Sequence, residues 1–172
     1  MMSPDQSNLD PMFNPSNNQI KEGVNLNLPS HELVNKILRG ERSAVEAYQQ
    51  VIEKFSSENE FAIEPLKKIM SEHEDACGRL AELIREEKEE PSHDSGVWGG
   101  FVKAYVTTAK LLGANGALHA LKTGEEHGLH QYEDAMDLEL TSHEKDVISN
   151  VLLVKQRAHV MQLDRLISEY SH

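Results

Sequence analysis

Residues 31–55 read HELVNKILRGERSAVEAYQQVIEKF, a run without proline. At 100° per residue, Val34, Ile37, Leu38, Val45, Tyr48, Ile52 and Phe55 fall on one stripe. That spacing predicts a long amphipathic helix with one buried face. Ser30 is placed to cap it, with Pro29 just before. One residue breaks the stripe. Glu41 lies at the centre of the apolar arc, between Ile37/Leu38 and Val45.

Three further helices follow from the same reading. The second is expected from Pro65 to Glu89, with Pro91 marking its exit and Leu66, Ile69, Met70, Ala76, Cys77, Leu80 and Ile84 as its stripe. The third is expected from Ala117 to Leu138, with Leu118, Leu121, Leu129, Tyr132 and Met136 inward. The fourth runs to Tyr170, with Ile148, Leu152, Leu163 and Leu166 inward, and Thr141 with Glu144 predicts its capping box. No alternating strand pattern appears. Residues 1–29 hold four of the six prolines and are expected to form a disordered tail, leaving 30–172 as the folded domain. Residues 91–99 form a Pro/Gly/Ser connection, and 101–112 a shorter helical piece that Gly113–Gly116 is expected to break. The predicted fold is therefore an all-α four-helix bundle, with a long, partly helical crossover between helices 2 and 3.

Each helix turns one ionisable residue inward. His73 interrupts the second stripe, Glu125 the third and His159 the fourth. Residues at one level of an antiparallel pair are equidistant from the turn. The midpoint of Glu41 and His73 is 57, and that of Glu125 and His159 is 142; both fall in predicted turns. The halves also echo each other, because Tyr48 follows Glu41 and Tyr132 follows Glu125 by seven residues in each case. An isolated charge in an apolar core is costly unless it is paired or holds a metal ion. Two imidazoles and two carboxylates suit a divalent ion, with Fe expected first and Zn or Mn as alternatives. Tyr48, Tyr132 and Gln156 are expected to support the ligands by hydrogen bonds.

Composition narrows the partners. Seventeen Lys and Arg against 29 Asp and Glu give a net charge of −12, so nucleic acid and anionic membranes are not expected partners. The opening MMSPDQSNLD has no basic region followed by an apolar run, so no secretory signal is expected. Cys77 is the single cysteine and is expected to be a small buried side chain. Cytoplasmic residence follows as the expectation, and association with further copies of the chain is compatible with it. Lys122 and Lys155 are alternative partners for an inward glutamate. Glu46, Glu126, His127 and His130 point away from the stripes and are expected on solvated faces.

The segments LRGERSAVEAY, SGVWGGF, LKTGEEHGLHQYEDAM and LLVKQRAHVMQLDRLI together resemble a bacterial family of ferritin-like four-helix-bundle proteins. The resemblance covers Ser30 to Tyr170. It implies iron or oxidative-stress handling and, if the protein is an enzyme, a metal-dependent oxidoreductase. The wider ferritin-like pattern places Glu on helices 1 and 3, and Glu-x-x-His on helices 2 and 4. Glu41, Glu125, His73 and His159 match it, whereas Met70 and Gln156 stand where glutamates that bridge two metals are expected. One ion is therefore expected ahead of two, because close cations need bridging carboxylates to offset their repulsion. The alternative is a metal-free bundle with a structural or protein-interaction role, its polar layer fixing helix register.

Overall fold

Apolar stripes at helical spacing need partners to bury against, and four of them close into a ring. The computed structural model describes residues 28–55, 60–96 and 113–170. Regular structure among them is helical throughout. It comprises α1 (Ser30–Phe55), α2 (Glu60–Glu86), α3 (Gly113–Met136) and a fourth rod. That rod is α4 (Ser142–Val147), one π-helical turn (Ile148–Leu152) and α5 (Leu153–Tyr170). The all-α bundle expected from the sequence is the observed fold. All but residues 28 and 29 of the expected tail over 1–29, and the helical piece over 101–112, lie outside the described residues.

Around the ring, α1 packs on α2 and α3, and α5 packs on α3 and α2. Side-chain pairs give the directions. Tyr48 meets Glu125 and Tyr132 meets Glu41, so α1 and α3 run antiparallel. His159 meets Glu72 and Lys155 meets Asp75, so α2 and α5 also run antiparallel. The order is up, down, down, up. The end of α2 packs with Val34, at the start of α1. The start of α3 packs with Phe55 and Tyr170, at the other end. The connection after α2 therefore joins opposite ends of the bundle, as a long crossover requires. It sets out along α1, where Asn35 and Arg39 hydrogen-bond Ser92.

Helix ends differ from expectation in instructive ways. The α1 amides of Glu32 and Leu33 bond the Pro29 carbonyl, while the Ser30 hydroxyl donates to Glu87 instead of capping. Helix α2 starts at Glu60, a turn ahead of Pro65. A proline there forfeits one bond only, to the carbonyl four residues back. It stops because Lys88 turns left-handed (φ 64°) and Glu89 N bonds Ile84 O, closing a Schellman motif. Helix α3 starts at Gly113, so Asn115 and Gly116 continue it instead of breaking it. The Thr141–Glu144 capping box forms as expected. The π turn was not foreseen. Glu144, Ile148, Leu152 and Gln156 are buried at a spacing of four, which drifts off one face of an α-helix. A wider turn absorbs that drift.

The core divides in two. Tyr48, Val51, Phe55, Leu66, Leu118 and Leu163 belong to one apolar cluster. Val34, Leu38, Leu80, Ile84, Tyr132 and Leu152 belong to the other. Between them lies a buried layer of Glu41, His73, Glu125, Gln156 and His159. No described helix is long and apolar enough to cross a membrane.

Candidate metal centre

Each expected inward residue reaches the middle of the bundle from its own rod. Glu41 is 5% exposed, His73 2%, Glu125 2% and His159 3%. Glu125 is the hub. Its Oε1 lies 2.9 Å from His73 Nε2 and accepts from Tyr48 Oη at 2.7 Å. Its Oε2 accepts from Gln156 Nε2 at 2.6 Å and lies 3.3 Å from His159 Nδ1. Gln156 Nε2 also donates to the Glu125 carbonyl at 2.9 Å. Glycine at 128 leaves room for this, because a Cβ there would stand 2.8 Å from that amide nitrogen.

The four predicted ligands do not converge on one point. His73 lies between two carboxylates, with Nδ1 2.7 Å from Glu41 Oε2. The ligand atoms of His73, Glu125 and His159 come within 4.8 Å of one another, and Glu41 is outside that group. Glu41 instead holds the far nitrogen of the His73 ring. The sequence missed the equivalent on the other histidine. Glu72 Oε2 lies 2.8 Å from His159 Nε2. Glu72 neighbours His73, so its direction lies about 100° off the stripe, and no periodicity singled it out.

Both histidines therefore have the same surroundings. One ring nitrogen meets a carboxylate from another rod, and the other nitrogen faces Glu125. A carboxylate on the outer nitrogen fixes ring orientation and tautomer in metal sites. The tyrosines follow the pseudo-symmetry crosswise. Seven residues advance a helix by about 10 Å, too far for Tyr48 to reach Glu41 on its own rod. Tyr48 donates to Glu125, and Tyr132 Oη donates to Glu41 Oε1 at 2.8 Å.

Electrostatics follow from this packing. Burial disfavours a charged His73, but Glu125 and Glu41 outweigh it and raise its pKa well above 6.5. Both ring nitrogens then donate, as two carboxylate neighbours demand. Burial opposes ionisation of Glu125, yet His73 and His159 draw its pKa far below the usual range. Burial, with Glu125 for Tyr48 and Glu41 for Tyr132, pushes both phenols well above 10.0. Lys122 and Lys155 do not reach this layer; they pair with Asp164 and Asp75 at the surface. Glu126, His127 and His130 are exposed, as expected.

One atom in the layer is unsatisfied. His159 Nδ1 is buried and makes no hydrogen bond, although it lies near Glu125 Oε2. A buried imidazole nitrogen that makes no hydrogen bond, with only an ion-pair contact to a carboxylate at 3.3 Å and a second imidazole nearby, suits a metal ligand set. The donors thus fit a divalent ion: His73 Nε2, His159 Nδ1 and Glu125. Two pockets flank the layer. One of about 300 Å³ lies between α1 and α3, lined by small residues such as Gly40, Ala44 and Gly124, with Glu41 and Glu125. The other, about 420 Å³, lies between α2 and α5 and includes Glu72 and His159.

No curated protein and no solved structure matches the chain. Residues 30–138 match a family described as a domain of unknown function, DUF2383. The match takes in α1, α2 and α3, with Glu41, Glu72, His73 and Glu125, and ends before Gln156 and His159. It covers more than half of the chain, and the protein belongs to the DUF2383 family.

Proposed function

We propose that this bundle, residues 30–172, is a ferritin-like metal-binding domain that holds one divalent ion through His73, Glu125 and His159. Glu41 and Glu72 orient the two imidazoles, and Tyr48, Tyr132 and Gln156 fix the carboxylates. The observation that carries this reading is the buried Nδ1 of His159, which makes no hydrogen bond and faces Glu125 Oε2 at 3.3 Å while its other nitrogen is tied to Glu72. Two histidines and one carboxylate are the donor set of non-haem Fe(II) sites and of open zinc sites. Such an ion supplies Lewis acidity or, as iron, one-electron chemistry. Iron comes first among the candidates, with Zn and Mn next. The up-down-down-up order, with Glu from α1 and α3 and His from α2 and α5, supports the ferritin-like assignment. Handling of iron or of oxygen-derived oxidants is the role this assignment suggests.

The test is a thermal melt of EDTA-stripped protein with Fe²⁺, Zn²⁺ or Mn²⁺ added. Free metal at a hundred times Kd adds about 2.7 kcal/mol, a rise of several degrees for a chain of this size. The rise should vanish in His73→Ala/His159→Ala. No rise with any of the three ions would sink the proposal.

One observation favours a second reading. His73 bridges Glu41 and Glu125 at 2.7 and 2.9 Å, so much of the layer is satisfied without metal. On that reading the polar layer only sets helix register. Replacing the whole layer, with Leu at Glu41, His73, Glu125, Gln156 and His159 and Phe at Tyr48 and Tyr132, would then leave stability unchanged or higher.

A further inference from the structure

Of the carboxylates tied to the central histidines, Glu72 alone reaches solvent. Its side chain is 26% exposed, against 6% for Glu41 and 2% for Glu125. It lines the pocket of about 420 Å³ between α2 and α5, with Glu64, Lys68, Gln162 and His159. From that pocket a continuous line of donors leads inward. Glu72 Oε2 is 2.8 Å from His159 Nε2, and His159 Nδ1 is 3.3 Å from Glu125 Oε2. Glu41 ends on the opposite side of the His73 ring and has no such line to solvent through a histidine.

We propose that Glu72 is the loading carboxylate of the centre, the residue that takes a divalent cation from solvent at the α2/α5 pocket and passes it to His159 and Glu125. This inference rests on the metal reading above. A cation must exchange its water shell for protein ligands one at a time, and an exposed carboxylate is the first negative oxygen it meets. The pocket's charges suit that traffic. Of the two carboxylates in the lining, Glu64 is paired with Lys67 at 2.9 Å, whereas Glu72 meets His159. The protein's net charge of −12 draws cations toward the surface in general, whereas Glu72 gives them a specific point of entry. His159 is the shared member, touching the entry carboxylate with one nitrogen and facing the central carboxylate with the other.

Glu72 orients His159 through its hydrogen bond, which glutamine can keep, and would load metal through its charge, which glutamine lacks; the two roles have different signatures. A transit residue lowers the barrier in both directions, so removing it slows loading and release alike and leaves affinity in place. An orienting residue, when removed, weakens affinity by about 10–100-fold. Glu72→Gln separates the two. Glutamine still offers an oxygen to His159 Nε2 but carries no charge. The probe is Co²⁺, its binding to EDTA-stripped full-length protein followed by stopped-flow visible absorbance, and its release by adding excess chelator. We expect Glu72→Gln to slow both rates by about tenfold with Kd changed less than threefold, Glu72→Asp to restore most of the loading rate, and the wild-type rate to fall with salt. Wild-type rates in Glu72→Gln, or a weakened Kd with unchanged loading, would overturn the proposal while leaving the metal centre standing. Failure of the wild-type protein to bind Co²⁺ would overturn the metal reading itself.

Discussion

Gly128 and Gly78 are both helical glycines, yet alanine should act on them in opposite senses. A Cβ at Gly78 meets nothing within 4 Å. Gly78→Ala should therefore show the ordinary mid-helix gain, about 0.8–1 kcal/mol. A Cβ at Gly128 would stand 2.8 Å from Gln156 Nε2 and 3.4 Å from its Cδ. The end of the glutamine must then shift, which strains or breaks its bonds to the Glu125 carbonyl at 2.9 Å and to Oε2 at 2.6 Å. A neutral bond contributes about 0.5–1.5 kcal/mol and one to a charged group about 1.5–3. Set against the propensity gain, Gly128→Ala should lose about 1–3.5 kcal/mol if both bonds break, and less if the glutamine keeps one of them. Urea unfolding of EDTA-treated protein, followed by helical circular dichroism, measures both variants. The cycle closes with Gln156→Ala. Once Gln156 is absent, Gly128→Ala should become stabilising by about 1 kcal/mol. A Gly128→Ala variant as stable as Gly78→Ala would refute the view that Gln156 fixes the central carboxylate.

Other consequences concern protons and thiols. In metal-free protein, the raised pKa of His73 contributes stability in full below 6.5, and that contribution is lost as pH rises through its folded value. The lowered pKa of Glu125 contributes in full above 4.5 and is lost as pH falls through its folded value. The pair therefore contributes most between about pH 4.5 and 6.5, so melts should show lower midpoints at about pH 8.5 than at about pH 6. His73→Gln should flatten that alkaline limb; an unchanged slope would contradict the bridged imidazole. Cys77 is half-buried, and burial followed by Glu41 pushes its thiol to about 12. Its thiolate fraction near neutrality falls about a thousandfold below that of a thiol at 9.0, and disulfide reagents should modify it correspondingly slowly. Labelling at the rate of free cysteine would show that the thiol is not held in this way.

The inward residues could be read from the sequence because each interrupts an apolar stripe, and a stripe has a direction. Glu41, His73, Glu125 and His159 are all buried in one layer for that reason. Tyr48 and Tyr132 were found by the same spacing, but their partners were not. A tyrosine too far from its own rod's glutamate must cross to the antiparallel neighbour, and that pairing is set by packing between rods. Glu72 escaped notice because it sits beside the stripe and gains its role only from α5 opposite. The π turn and the left-handed Lys88 escaped for a different reason: each solves a local geometric problem with residues that carry no turn signature. Gln156 stands where a bridging glutamate was expected, and the structure gives it a donor's role toward Glu125.

The central claim, a divalent ion held by His73, Glu125 and His159, is tested most directly by elemental analysis of protein purified without a polyhistidine tag. The account predicts about one equivalent of iron, zinc or manganese per chain, the stoichiometry of a single open three-ligand group, and little in His73→Ala/His159→Ala. Less than about a tenth of an equivalent in the wild-type protein after incubation with each metal, at concentrations where such sites ordinarily fill, would contradict it.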